Sequence, residues 1–180
     1  MLTHLTIQNF VIVERIELSL EPGFTVLTGE TGAGKSILID ALMLALGGKS
    51  DTDQIRQGCE RAEIIAEFNI EHLPDTQRWL QENDLADDSG SCILRRVIEA
   101  NGRSRHFING ISVALQQLRA IGDQLVDIHG QHAHQSLLRS DAQRALLDGF
   151  AGNDALLSQV KAAYQHWHGL NQQRLAWEAN

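Results

Sequence analysis

A chain of 180 residues, 43% hydrophobic and 21% charged, is long enough for one globular domain with a substantial core plus an appendage, and it has no apolar run that would span a bilayer. Its formal net charge of -8 excludes a protein that coats nucleic acid by bulk electrostatics, so any DNA contact must be local or lie elsewhere in a larger protein. Cys59 and Cys92 fit neither a disulfide framework nor a paired-ligand zinc site, and the opening MLTHLTIQNF lacks the marks of a secretory signal, so cytoplasmic residence is the expectation.

Apolar and polar residues alternate first at Leu5 and Ile7, then at Val11 and Val13, and on through Ile16, Leu18 and Leu20, a period of two that predicts two half-buried strands. Glu21-Pro22-Gly23 is a turn signal, and Phe24 to Leu27 reads as a third short strand running into a glycine-rich loop. From Lys35 to Leu46 the pattern predicts a helix apolar on every side and enclosed by protein, ended by Gly47-Gly48. Strands are predicted over Ala62 to Ile70 and Ile93 to Ile98, with a short helix over Pro74 to Leu85 between them. The tight-turn pairs Asn101-Gly102 and Asn109-Gly110 make Ile93 to Ile108 an antiparallel hairpin. A helix from Ser112 to about Gly122, a strand over Gln124 to Ile128 and a helix capped by Ser140-Asp141 follow. Finally Leu156, Val160, Ala163, Trp167, Leu170, Arg174 and Trp177 recur at alternating spacings of four and three, the seam of a coiled coil that is still running where the chain stops. A helix of roughly three heptads is marginal alone, so it is expected to need a partner strand.

The segment Gly29-Glu30-Thr31-Gly32-Ala33-Gly34-Lys35-Ser36 satisfies G-x-x-x-x-G-K-[ST], the Walker A phosphate loop, between an apolar strand and an apolar helix. Glycines let successive N–H groups turn toward phosphate oxygens, and the helix start adds its positive dipole end. Lys35 is expected to reach the β- and γ-phosphates, and Ser36 to offer its hydroxyl to magnesium. The same glycines make no dinucleotide fingerprint, because the third glycine position falls on Ile37. The ligand expected is therefore ATP with Mg2+.

The residues L-x-I-x-N-F at Leu5 to Phe10, the loop GETGAGKS, then ILRR, NGRSR, F-I-N-G and D-I-H-G-Q-H-A-H-Q together closely resemble the amino-terminal part of the RecN family of bacterial DNA repair proteins, relatives of the SMC and Rad50 ATPases. The resemblance implies the amino-terminal half of an ABC/SMC-type ATPase head: an α/β P-loop fold with an antiparallel β lobe over residues 1–150, and the start of a truncated coiled coil over 151–180. It implies that a carboxy-terminal half supplies the Walker B acids and the signature motif, which this chain lacks. It implies a homodimer through heads or coiled coil, DNA as a partner of the full-length protein, nucleoid association when engaged on DNA, and no membrane. Gln131 takes the position of the family's glutamine loop, contacting magnesium and the attacking water, with Gln135 a neighbouring candidate. Arg56 looks similar to an arginine that relatives place near phosphate or DNA.

Asp127 to Gln131 also fits the D-x-x-G-Q switch of small GTPases, but no N-K-x-D guanine reader accompanies it. His129, His132 and His134 have a spacing that suits loop residues better than a zinc site. Arg95, Arg96, Arg103 and Arg105 form a basic island whose members cannot all share one face, and Arg103 and Arg105 are the pair that can meet phosphate or DNA together. No G-x-S-x-G elbow is present for a serine hydrolase. The expected function is the ATP-binding part of an SMC-like ATPase of DNA double-strand break repair and recombination, in which ATP closes two heads and hydrolysis, needing the missing half, reopens them. The alternatives are a stand-alone P-loop kinase or GTPase, and a coiled-coil module with a vestigial loop.

Overall fold

The computed structural model describes residues 1–29, 34–87, 89–126, 128 and 140–178. It divides into two compact units, residues 1–127 and 128–180. The first unit is built on a six-stranded sheet ordered β2-β1-β3-β4-β5-β6, with β1 Leu2–Phe10, β2 Val13–Ser19, β3 Arg61–Asn69, β4 Ser91–Glu99, β5 Ser104–Ile108 and β6 Ile111–Ser112. Every pairing is antiparallel. The sheet is thus antiparallel throughout among the described residues, as the expected antiparallel β lobe requires.

Register explains how one face becomes core. Leu5 sits opposite Ala66, Ile7 opposite Ile64, Ala66 opposite Leu94, and Leu94 opposite Ile108, so residues of one parity line a single face. All of them are buried, together with Ala62, Phe68, Cys92 and Ile98. Three helices pack on the lobe: α1 Lys35–Ala45, α2 Pro74–Glu82 and α3 Leu115–Leu125, contributing Ala41, Leu44, Ala45, Leu80, Leu118 and Ile121 to the core. Proline at the first turn of α2 and Asn101-Gly102 at the β4–β5 turn, where Gly102 has φ 82, play the local roles expected of them.

Four expectations are corrected. Phe24 to Leu27 is not a strand; Phe24 is 94% exposed, and a lone extended segment forms no strand unless a neighbour pairs with its backbone. Helix α1 is not enclosed, since Ile39 is exposed while only Ala41, Leu44 and Ala45 are buried. Ser112 closes strand β6, and α3 starts after Ala114, whose N–H donates to the Gln117 carboxamide. Gly122 does not stop that helix. A Cβ there would lie 2.6 Å from the Leu46 carbonyl oxygen, so the glycine serves close packing of α3 on the end of α1, and the helix runs on through Gln124 and Leu125, where a strand was expected.

The second unit holds α4 Ser140–Ala151 and α5 Asp154–Glu178. The predicted seam does form a helix, and Leu156, Val160, Trp167, Leu170 and Trp177 on it are all exposed.

Candidate functional site

The phosphate loop can be followed at both ends; Glu30, Thr31, Gly32 and Ala33 lie outside the described residues. At its far end Gly34 is left-handed, φ 88 and ψ -2, and forms the N-cap of α1 without any side-chain capping bond. Left-handed backbone at that point is why glycine is needed. The first turn of α1 carries no acidic residue, so no carboxylate of that turn opposes the positive end of the helix. Lys35 donates from its ammonium to the Gly29 carbonyl, six residues back in the chain. Ser36 beside it is exposed. This end of the helix presents donors and positive potential, which suits a polyanion.

The opposite end of α1 is closed. Arg96, on the core face of β4 opposite Ile64 and His106, is 1% exposed. Its Nη1 donates to the carbonyls of Leu44 at 3.0 Å and Gly48 at 2.6 Å, Nη2 to Ser50 Oγ at 3.1 Å, and Nε to Ser104 Oγ at 3.1 Å. Arg119 of α3 donates to the Gly47 carbonyl at 2.7 Å. Burial, and then the nearby charge of Arg119, lower Arg96 to about 10, which still leaves it protonated near neutrality. His106 is pushed below its ordinary value of 6.5, first by burial and then by the charge of Arg96, and its Nε2 has no hydrogen-bond partner among the described residues.

The basic island therefore divides. Arg96 is a buried helix clamp, a role sequence reasoning missed because the mark of it, an arginine in phase with the apolar residues of its strand, was read only as charge. Arg95, on the other face, pairs with Glu63 at 2.5 Å and lies 4.9 Å over the Phe107 ring. Arg105 pairs with Glu99 at 2.8 Å, while Arg103 is exposed at the hairpin turn and makes no ion pair among the described residues. Arg56 pairs with Glu14 at 3.4 Å, and its N–H donates to Asn9, which ties it to the β1–β2 turn. Gln131, Gln135, Asp127, His129, His132 and His134 lie outside the described residues. Among the described residues no cluster of His, Cys, Asp and Glu could hold a metal, and no helix is long and apolar enough to cross a membrane.

An antiparallel lobe packed on a helix that a Walker A sequence opens is the architecture of the amino-terminal half of an ABC/SMC-type P-loop ATPase head. The chain belongs to the AAA domain family, whose model matches residues 4–173. Among solved structures it is similar to the Smc head domain from Pyrococcus furiosus, crystallised with an extended coiled coil and bound to the C-terminal domain of ScpA, at a TM-score of 0.68 and 20% identity over 96% of this chain and 47% of that one. It is also similar to the SMC head domain from Thermotoga maritima, at a TM-score of 0.55 and 19% identity over 77% of this chain and 51% of that one. Among curated proteins it is 47% identical to DNA repair protein RecN of Vibrio cholerae over 96% of this chain, and 49% identical to that of Haemophilus influenzae over 96%. RecN of Bacillus subtilis is 40% identical over 93% of the chain. The chain spans 31% of the length of the Vibrio and Haemophilus proteins.

Proposed function

We propose that this chain is the ATP-binding portion of an SMC-like DNA repair ATPase. The observation that carries the reading is the left-handed Gly34 opening a helix whose first turn holds no acidic residue, with Lys35 donating to the Gly29 carbonyl. On this reading Gly29, Glu30, Thr31, Gly32, Ala33, Gly34, Lys35 and Ser36 cradle the triphosphate, and Lys35 exchanges its carbonyl partner for the β- and γ-phosphates. The exposed hydroxyl of Ser36 is an oxygen donor of the kind magnesium prefers, with Gln131 as a second protein ligand that also orients water. Bound magnesium would offset charge on the phosphate oxygens.

Residues 1–150 are then half a head, and 151–180 the start of a coil. Phe24, Val26, Leu27 and Ile39 are exposed apolar residues flanking the loop in sequence, which suits cover by the carboxy-terminal half that brings the Walker B acids and the signature motif. Head engagement into a homodimer, a DNA partner for Arg103 or Arg56, and cytoplasmic residence with nucleoid association on DNA complete the proposal. The RecN relatives, named for DNA repair, and a similar chain solved in work on ATP-driven dimerization and DNA stimulated activation of SMC ATPases support it. The kinase and GTPase readings are not favoured, since no relative reported above carries such a function.

The test is an Mg-ATP titration of this chain beside Lys35→Ala, followed by ATPase assays after co-expression with the complementary half, with and without DNA. Expected are weak binding lost in the variant, negligible turnover alone, and turnover regained with the partner half. Strong turnover by the chain alone that Lys35→Ala abolishes would overturn the division of labour; failure to bind any nucleotide would favour a vestigial loop.

A further inference from the structure

Arg96 stands first among the largest fully buried side chains of the described residues, and it places a charge on the core face of the sheet, where desolvation is unfavourable. No carboxylate lies within ion-pair distance of it among the described residues. Its compensation is a set of four acceptors: the Leu44 carbonyl in the last turn of α1, where the helix carries its partial negative charge, the Gly48 carbonyl just past the helix, and the hydroxyls of Ser50 and Ser104. Arg119 reaches the adjacent Gly47 carbonyl from α3. Two cations from two different elements thus grip the chain at and just past the carboxyl end of a helix whose N-cap residue, Gly34, supplies no side-chain cap.

We propose that Arg96 is a positioning residue for the phosphate loop: holding α1 by its far end from strand β4, it fixes where the first-turn amides and Lys35 stand, and it makes the β4–β5 hairpin and the loop move together. This rests on the nucleotide reading of that loop. The lever is short and stiff, because 11 residues of α-helix span about 16 Å. A tilt of about 4° at the clamp displaces the loop end by about 1 Å, enough to spoil the alignment of several donors on one phosphate chain. Ser104, which follows the exposed Arg103 at the hairpin turn, is itself one of the four acceptors, so a contact at the turn is one residue from the clamp.

The test is amide hydrogen exchange and Mg-ATP titration of this chain with Arg96→Met and Arg96→Lys. In Arg96→Met the amides of Leu38 to Leu42 should exchange about tenfold faster or more while β1 and β3 keep wild-type protection, and Mg-ATP affinity should fall about tenfold. Arg96→Lys, whose single ammonium cannot span all four acceptors, should recover part of both. Unchanged affinity, unchanged exchange at Leu38 to Leu42, or a uniform acceleration across the lobe would overturn the proposal. If Arg96→Met fails to fold, Ser50→Ala and Ser104→Ala each remove one acceptor; faster exchange confined to α1 supports the clamp, and wild-type exchange there refutes it. A wild-type chain that binds no Mg-ATP would sink the nucleotide reading, while the exchange comparison would still decide whether the clamp holds the helix.

Discussion

The antiparallel lobe and the stretch before and into α1 both carry large apolar side chains, with opposite fates at Phe24, Val26, Leu27 and Ile39. In the lobe, alternating residues of β3 and β4 are sealed, with Ile64, Ala66, Phe68 and Leu94 at 0% exposure. In the stretch before and into α1, Phe24, Val26, Leu27 and Ile39 are 94%, 63%, 50% and 49% exposed. The difference is pairing. Each lobe strand has a neighbour within this chain, whereas Phe24 to Leu27 has none among the described residues, so the same kind of side chain is core in one place and surface in the other.

Truncations sharpen the contrast most. Phe68→Ala should lower unfolding stability by about 3–5 kcal/mol in urea titrations, because its cavity opens inside a packed face. Phe24→Ala should shift stability by less than about 0.5 kcal/mol in the chain alone. A large loss from the second substitution would break the comparison by showing that Phe24 is packed in solution. Gly122→Ala comes next: the added methyl meets the Leu46 carbonyl, and about 1–3 kcal/mol of destabilisation is expected in the same titration.

Protonation gives a smaller effect. Folded His106 takes up a proton less readily than the unfolded chain does, so stability is full above the ordinary value of 6.5 and declines as pH falls through it. His106→Gln should therefore shrink the difference in urea midpoint between about pH 7.5 and about pH 5.5. A midpoint difference equal to wild type would mean the imidazole is solvated. Smallest is a thiol contrast: Cys92 is buried and raised to about 12, so a thiolate-directed reagent at neutral pH should modify Cys59 alone in the native chain.

Much of the lobe was legible because antiparallel strands write their geometry locally. Period-two alternation fixes the buried face, and Asn101-Gly102 fixes the hairpin. The loop was legible as a motif for a different reason, since on the proposed reading each of its residue types would answer to one feature of a phosphate chain. What was not legible depended on distant partners. Nothing local says that Phe24 to Leu27 lacks a neighbour among the described residues, that Gly122 is a packing contact and not a helix stop, or that of two adjacent arginines Arg96 turns inward to the end of α1 while Arg95 faces Glu63. The parity of Arg96 with Leu94 and Ile98 was the available clue.

Strand β1 lies between β2 and β3, so everything from Leu20 to Glu60, the phosphate loop included, leaves the sheet on one side of β1 and re-enters on the other. A protease nick between Glu21 and Gly29 would accordingly sever the chain without freeing either piece, since β1 stays zipped to β3 through Leu5 with Ala66 and Ile7 with Ile64. The same layout marks that stretch as the place where new termini or an inserted reporter would be tolerated by the scaffold even if they silenced the loop.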